Sequence, residues 1–188
     1  MAARAPSLAL LGLLLAASGA SAAPAQVVII RHGEKPPEGD ELDERGWQRA
    51  RALVEFFKSS PRVTRHGAPA AIYAMDPKAG GGSLRPIQTV TPLAQSLGLG
   101  IDHRYKKDQL PELVKLIMED RRLDGRMVLV CWEHKVIPTL LRDFGWSSGP
   151  DKWKGSVFDR AWVLNFQDGK PTSFEDVPEH VLPGDSEE

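Results

Sequence analysis

The chain has 188 residues and a formal charge of −1 from 24 basic and 25 acidic side chains, with 41% hydrophobic and 26% charged content. That is the composition of a globular protein with apolar side chains for one core. The balanced charge excludes nucleic-acid binding by bulk electrostatics. A lone cysteine, Cys131, excludes a disulfide scaffold, and its apolar surroundings make it a buried thiol.

In chain order, Arg4 precedes an apolar stretch over residues 8–17, and small residues then end in Ala20-Ser21-Ala22. This is the pattern of a secretory signal peptide, residues 1–22, cleaved near Ala22. The apolar run is shorter than the roughly 20 residues of a bilayer-spanning helix, so no stable membrane insertion is expected. Residues 23–188 are then expected in a periplasm or secreted, as one domain with a loose acidic C-terminal tail.

Val27, Val28, Ile29 and Ile30 form a continuous β-branched run that predicts a strand buried on both faces. Asp43 can cap a helix with apolar positions Trp47, Ala50, Val54 and Phe57, ending near Ser60-Pro61. Residues 71–75 read as a second strand, and Asp76 opens a turn-rich loop through Gly80-Gly81-Gly82. A helix over residues 84–97 is closed by Gly98. A short strand over 101–105, a helix over 111–119 with Pro111 in its first turn, a third apolar strand over 127–132 and a helix over 136–143 follow. Residues 161–166 alternate as an edge strand before Asp168-Gly169. Alternating strands and helices predict an α/β fold, a three-layer α/β/α sandwich around a mostly parallel sheet.

In such sheets ligands bind beyond the carboxyl ends of the strands. There the sequence places Arg31-His32-Gly33-Glu34, Asp76 and Glu133-His134, with Arg85 at a helix start. Arginine offers a planar fork of donors matching phosphate oxygens, and a helix N-terminus adds backbone donors. Neighbouring guanidinium charges keep His32 neutral and nucleophilic. Gly33 permits close backbone approach. A tetrahedral oxyanion suits this set. Zinc does not, because neither a H-E-x-x-H pair nor a cysteine pair completes the ligands and Arg31 repels a cation.

Arg31-His32-Gly33, Arg85 with Thr89 four residues on, His134, and the segment Leu42-Asp43-Glu44-Arg45-Gly46-Trp47-Gln48-Arg49-Ala50 resemble, in that order, the histidine phosphatase (phosphoglycerate mutase-like) superfamily, in its small branch. The resemblance implies a phosphoglycerate mutase-like fold and a phosphatase needing no metal or other cofactor. It implies that His32 becomes phosphorylated, that Arg31, Arg85 and Gly33 bind the phosphate, and that His134 hydrogen-bonds the transferring group. Glu112 is the favoured proton donor, with Asp108 and Glu133 as alternatives. The segment Trp132-Glu133 before His134 and Gly81 in place of the usual serine depart from the pattern. Two classes of function are carried forward: an exported phosphatase acting on small phosphorylated substrates, and a noncatalytic phosphate-ligand binding module. Mutase activity is a weaker third.

Overall fold

The computed structural model describes residues 23–77 and 83–186. The expected signal peptide and the Gly80-Gly81-Gly82 loop lie outside the described residues. The elements are β1 (Gln26–Arg31), α1 (Glu44–Ser59), β2 (Ala71–Ala74), α2 (Arg85–Leu97), β3 (Ile101–Asp102), α3 (Leu110–Glu119), a 3-10 turn (Arg121–Leu123), β4 (Met127–Trp132), α4 (Ile137–Asp143), β5 (Arg160–Gln167) and β6 (Lys170–Pro178).

The two most apolar runs become the centre of one sheet of order β3-β2-β4-β1-β5-β6. Every residue of β1 and β4 is buried. They pair in parallel from Gln26 opposite Met127 to Arg31 opposite Trp132. β2 is parallel to β4 and β3 to β2. On the other flank β5 runs antiparallel to β1, and β6 antiparallel to β5. Helices cover both faces, as strands without a polar face require. Leu53, Phe56 and Phe57 of α1 pack with Val90 and Leu93 of α2 on one side. Leu113 and Ile117 of α3 pack with Ile137 and Leu140 of α4 on the other.

Local signals set the helix ends. The Asp43 carboxylate accepts the Gly46 N–H at 2.8 Å, the N-cap bond expected of it. Gly98 ends α2 at φ 65°, in the left-handed region that favours glycine.

Two expectations are corrected. Residues 161–166 do not form an edge strand: β5 is paired on both sides and seven of its eight residues are buried. The edge is β6, which follows the two-residue turn at Asp168 (φ 52°) and Gly169 (φ 73°). Nor is the acidic tail loose. Glu179 Oε2 accepts from Arg49 Nη1 at 3.0 Å and Asp185 Oδ1 from Arg49 Nη2 at 2.7 Å. Asp185 Oδ2 also accepts the N–H groups of Val181 and Leu182, each at 3.0 Å. Acidic residues stay solvated only where no buried cation faces them, and here α1 supplies one: Arg49 is 2% exposed. With Arg45 and Arg49 facing Glu34, Glu179 and Asp185, the cluster carries one carboxyl group in excess. Burial pushes Glu179 up to about 8.

Candidate active site

The carboxyl ends of β1, β2 and β4 meet at one edge of the sandwich. Just past these ends, the His32 N–H donates to Trp132 O at 3.3 Å and the Met75 N–H to Cys131 O at 3.2 Å. The chain leaving β1 is pressed against the first turn of α1. A Cβ on Gly46 would lie 2.3 Å from Glu34 O, and one on Gly33 would lie 3.1 Å from Gly46 Cα. Leu42 is buried beside this contact and Ala50 one turn further along α1. The Leu-x-x-x-Gly-x-x-x-Ala segment therefore seats the loop that carries His32. The loop is tied on its other side to α2: Thr89 Oγ1 accepts the Gly33 N–H at 2.8 Å and donates to Arg85 O at 2.7 Å.

His32 is 4% exposed. Its Nδ1 lies 2.8 Å from Gly33 O. A carbonyl only accepts, so Nδ1 carries the proton and Nε2 keeps its lone pair. Burial, with the charges of Arg31, Arg85 and His134 adding to it against the Gly33 hydrogen bond, lowers its pKa to about 4. At neutral pH the ring is therefore the neutral imidazole, with its lone pair on Nε2.

Arg31 is 2% exposed, and its Nη1 donates to the carbonyls of Gly155 at 3.0 Å and Val157 at 2.6 Å. Its guanidinium carbon sits 3.7 Å from the centroid of the Phe158 ring, a cation–π contact. Burial lowers its pKa to about 10, which leaves it cationic. Its Nε is buried with no hydrogen-bond partner among the described residues. Such a donor is costly unless a ligand oxygen meets it. Arg85, half-buried at the start of α2, donates to Glu41 O at 3.2 Å and to Gly39 O. His134 Nδ1 is likewise buried and unpartnered, and a Cβ on Gly155 would lie 3.6 Å from its Nε2. Burial, followed by the charge of Arg31, lowers the His134 pKa.

His32, Arg31, Arg85 and His134 thus form one electrostatically coupled group. The three candidate acids do not share it equally. Glu112 is exposed in the first turn of α3 and Asp108 is exposed in the loop before it. No hydrogen bond or ion pair joins either to the group among the described residues. Glu133 is half-buried, paired with Lys107, 3.8 Å from His134 Nδ1, and its charge acts on both Arg31 and His134. Glu34 is held by Arg45 and Arg49, and its charge also acts on Arg31. Sequence reasoning missed two contributors. Arg49 stood in the Leu42–Ala50 segment with nothing nearby to mark it as a buried cation, and the 154–158 segment meets Arg31 largely through backbone carbonyls, which leave no residue signature. Phe158 is its one side-chain signal.

No family model matches the chain and no curated protein sequence matches it. Solved structures do. Phosphoglycerate mutase from Bacillus anthracis str. Sterne aligns with a TM-score of 0.57 at 16% identity, over 84% of this chain and 94% of that one. The protein histidine phosphatase SixA, complexed with tungstate, aligns with a TM-score of 0.57 at 16% identity, over 82% and 97%. Phosphoglycerate mutase from Plasmodium falciparum gives 0.50 at 14% identity, over 86% and 95%. At these identities the likeness is one of fold, and the chain, with helices on both faces of its six-stranded mixed sheet, has the phosphoglycerate mutase-like α/β fold.

Proposed function

We propose that this chain is an exported phosphohydrolase of the histidine phosphatase superfamily, acting on phosphomonoesters or a related phosphoryl compound through a phosphohistidine on His32. The observation that carries the proposal is the state of His32: neutral at physiological pH, with Nδ1–H directed to Gly33 O and Nε2 free, amid the positive charge of Arg31 and Arg85. A mere phosphate binder has no use for an oriented lone pair. Tungstate, the ligand named for the SixA structure, is a tetrahedral oxyanion like the guest inferred for this site.

In the proposed reaction Nε2 attacks phosphorus in line with the ester oxygen. The N–P bond forms as the P–O bond breaks, and the departing alkoxide takes a proton. Arg31 Nε, Arg85 and His134 bear on the non-bridging oxygens, where charge is largest in the transition state. Water then attacks the phosphohistidine and gives one proton to the carboxylate that protonated the alkoxide, the N–P bond breaks, and phosphate leaves with His32 neutral again. The placement of Glu133 favours it over Glu112 as the proton donor. The arginines supply the positive charge that a metal supplies elsewhere, so activity is expected to survive chelation and to be inhibited by vanadate. The proposed setting is a periplasm or the cell exterior, after cleavage near Ala22, with a small phosphorylated substrate and no nucleic-acid partner.

A noncatalytic phosphate-binding module of the same fold has one observation in its favour: both arginines already donate to backbone carbonyls. Rapid quenching during turnover separates the readings. Phosphate on His32, labile in acid and stable in base, is expected, together with loss of turnover in His32→Ala. A label of the opposite stability, or on another residue, overturns the proposal.

A further inference from the structure

At the β3 end of the sheet lies a cavity of about 750 Å³ whose wall contains none of the residues grouped around His32. That volume falls within the range of roughly 300–1,000 Å³ typical of small-molecule sites. Tyr73 of β2 stands in register with Asp102 of β3, so both side chains rise from one face of the sheet, the face on which Tyr73 packs in one cluster with Leu113 and Ile117 of α3. Ala70, Ala71, Leu99 and Leu123 add apolar wall around them.

Charge enters the cavity from three stretches of chain. Arg104 follows β3, Arg122 lies in the 3-10 turn after α3, and Arg126 immediately precedes β4. The first two are neutralised by the same local device. Asp102 accepts from Arg104 Nε at 3.0 Å and Nη2 at 2.7 Å, and Asp120 accepts from Arg122 Nε at 2.9 Å and Nη2 at 2.7 Å. Two-point pairing fixes the plane of each guanidinium. The Arg126 side chain makes no ion pair or hydrogen bond among the described residues, so its charge is left uncompensated on the wall.

The Tyr73 hydroxyl lies amid these groups. The residue is 4% exposed, and no hydrogen bond joins its hydroxyl to another group among the described residues. The charges of Asp102, Asp120, Arg122 and Arg104 all act on it. Burial, followed by the two carboxylates, pushes its pKa up to about 12, so it keeps its proton and remains a donor. A buried donor without an acceptor is costly, and a ligand oxygen removes that cost. One uncompensated positive charge matches one negative charge, which a carboxylate carries and a phosphate monoester dianion exceeds. The apolar wall calls for an apolar body behind that charge.

We infer that this cavity binds a carboxylate carried on a compact apolar or aromatic body, its oxygens meeting the Tyr73 hydroxyl and Arg126 and its body lying against the apolar wall. The inference is independent of the phosphatase reading.

Calorimetry with 2-naphthoate, its neutral isostere 2-naphthamide, and acetate tests it. At pH 8 and low ionic strength, 2-naphthoate is expected to bind about tenfold more tightly than 2-naphthamide, because a charge-assisted hydrogen bond is roughly twice as strong as a neutral one and Arg126 adds an ion pair. Acetate, which has no body to bury, binds more weakly than 2-naphthoate. Tyr73→Phe is expected to weaken 2-naphthoate about tenfold. Arg126→Gln weakens it by about two- to fivefold, an effect that shrinks at high salt. Neither substitution is expected to lower the urea midpoint, since neither group has a partner to lose; where the midpoint does fall in one variant, the other decides. Vanadate is expected to leave 2-naphthoate binding unchanged, and displacement by vanadate would place the carboxylate at His32 and overturn the inference. No measurable binding of 2-naphthoate, equal affinities for 2-naphthoate and 2-naphthamide, or an affinity unchanged in a stably folded variant also overturns it.

Discussion

Replacing Gly46 with alanine tests the link between the α1 segment and the site. The added Cβ would stand 2.3 Å from Glu34 O and 3.0 Å from Glu34 N, both backbone atoms. The loop cannot yield freely. Glu34 O accepts the Asp43 N–H at 3.1 Å, and the Glu34 carboxylate is held by Arg49 Nη2 at 2.7 Å. Overpacking of this kind costs about 1–3 kcal/mol. Loss of the Asp43 bond adds about 1 kcal/mol. Alanine returns up to about 1 kcal/mol through its better helix propensity. The expected net loss is therefore about 1–3 kcal/mol, read as a lower urea midpoint at unchanged m-value. His32 lies two residues upstream of Glu34, and a displacement of about 1 Å there lowers kcat/KM on nitrophenyl phosphate by up to roughly 10²-fold. Gly98→Ala is the control: its left-handed φ of 65° costs about 1 kcal/mol, its Cβ meets nothing within 4 Å, and activity is retained. A Gly46→Ala protein with wild-type stability and turnover, or one losing only as much as Gly98→Ala on both measures, refutes the reasoning.

Two further predictions concern protons. The His32 pKa of about 4 lies below its ordinary 6.5, so between those values the unfolded chain binds more protons and stability falls as pH drops, by about 3 kcal/mol across the window. Glu179, raised to about 8, acts in the opposite sense between its ordinary 4.5 and 8. The test is therefore the difference between wild type and His32→Gln in urea unfolding from pH 7 to 4: the variant lacks the His32 loss, and parallel curves contradict the account. Glu133→Gln is expected to slow alkyl phosphate hydrolysis by roughly 10²–10⁴-fold and nitrophenyl phosphate hydrolysis much less, because nitrophenolate departs without a proton. Glu112→Gln and Asp108→Asn should leave that ratio near wild type, and selective alkyl loss in either one would move the role to that residue.

What could be read along the chain was what is decided locally. The run Val27-Val28-Ile29-Ile30 has no polar face to offer water and could only be a central strand. Asp43 and Gly98 end their helices by contacts within a few residues. Arg31, His32, Gly33, Arg85 and His134 were identifiable because each sits just past a strand or at a helix start, where side chains face the crevice of an α/β sheet. What could not be read depends on partners far away in sequence. β5 looked like an edge because β6 is too polar to announce itself as a strand. The acidic tail looked loose because its partner, Arg49, lies about 130 residues earlier. Glu133 stands next to His134 in the sequence, but that its charge also acts on Arg31, and that Glu112 has no hydrogen bond or ion pair to the group among the described residues, appears only in the folded chain. The Arg31 contacts to carbonyls of the 154–157 segment arise only when chain folding brings distant stretches together. Propensities and caps act over a turn or a strand and are written in neighbouring residues, whereas buried charge pairing and backbone coordination act through space, and only the folded chain decides which groups meet.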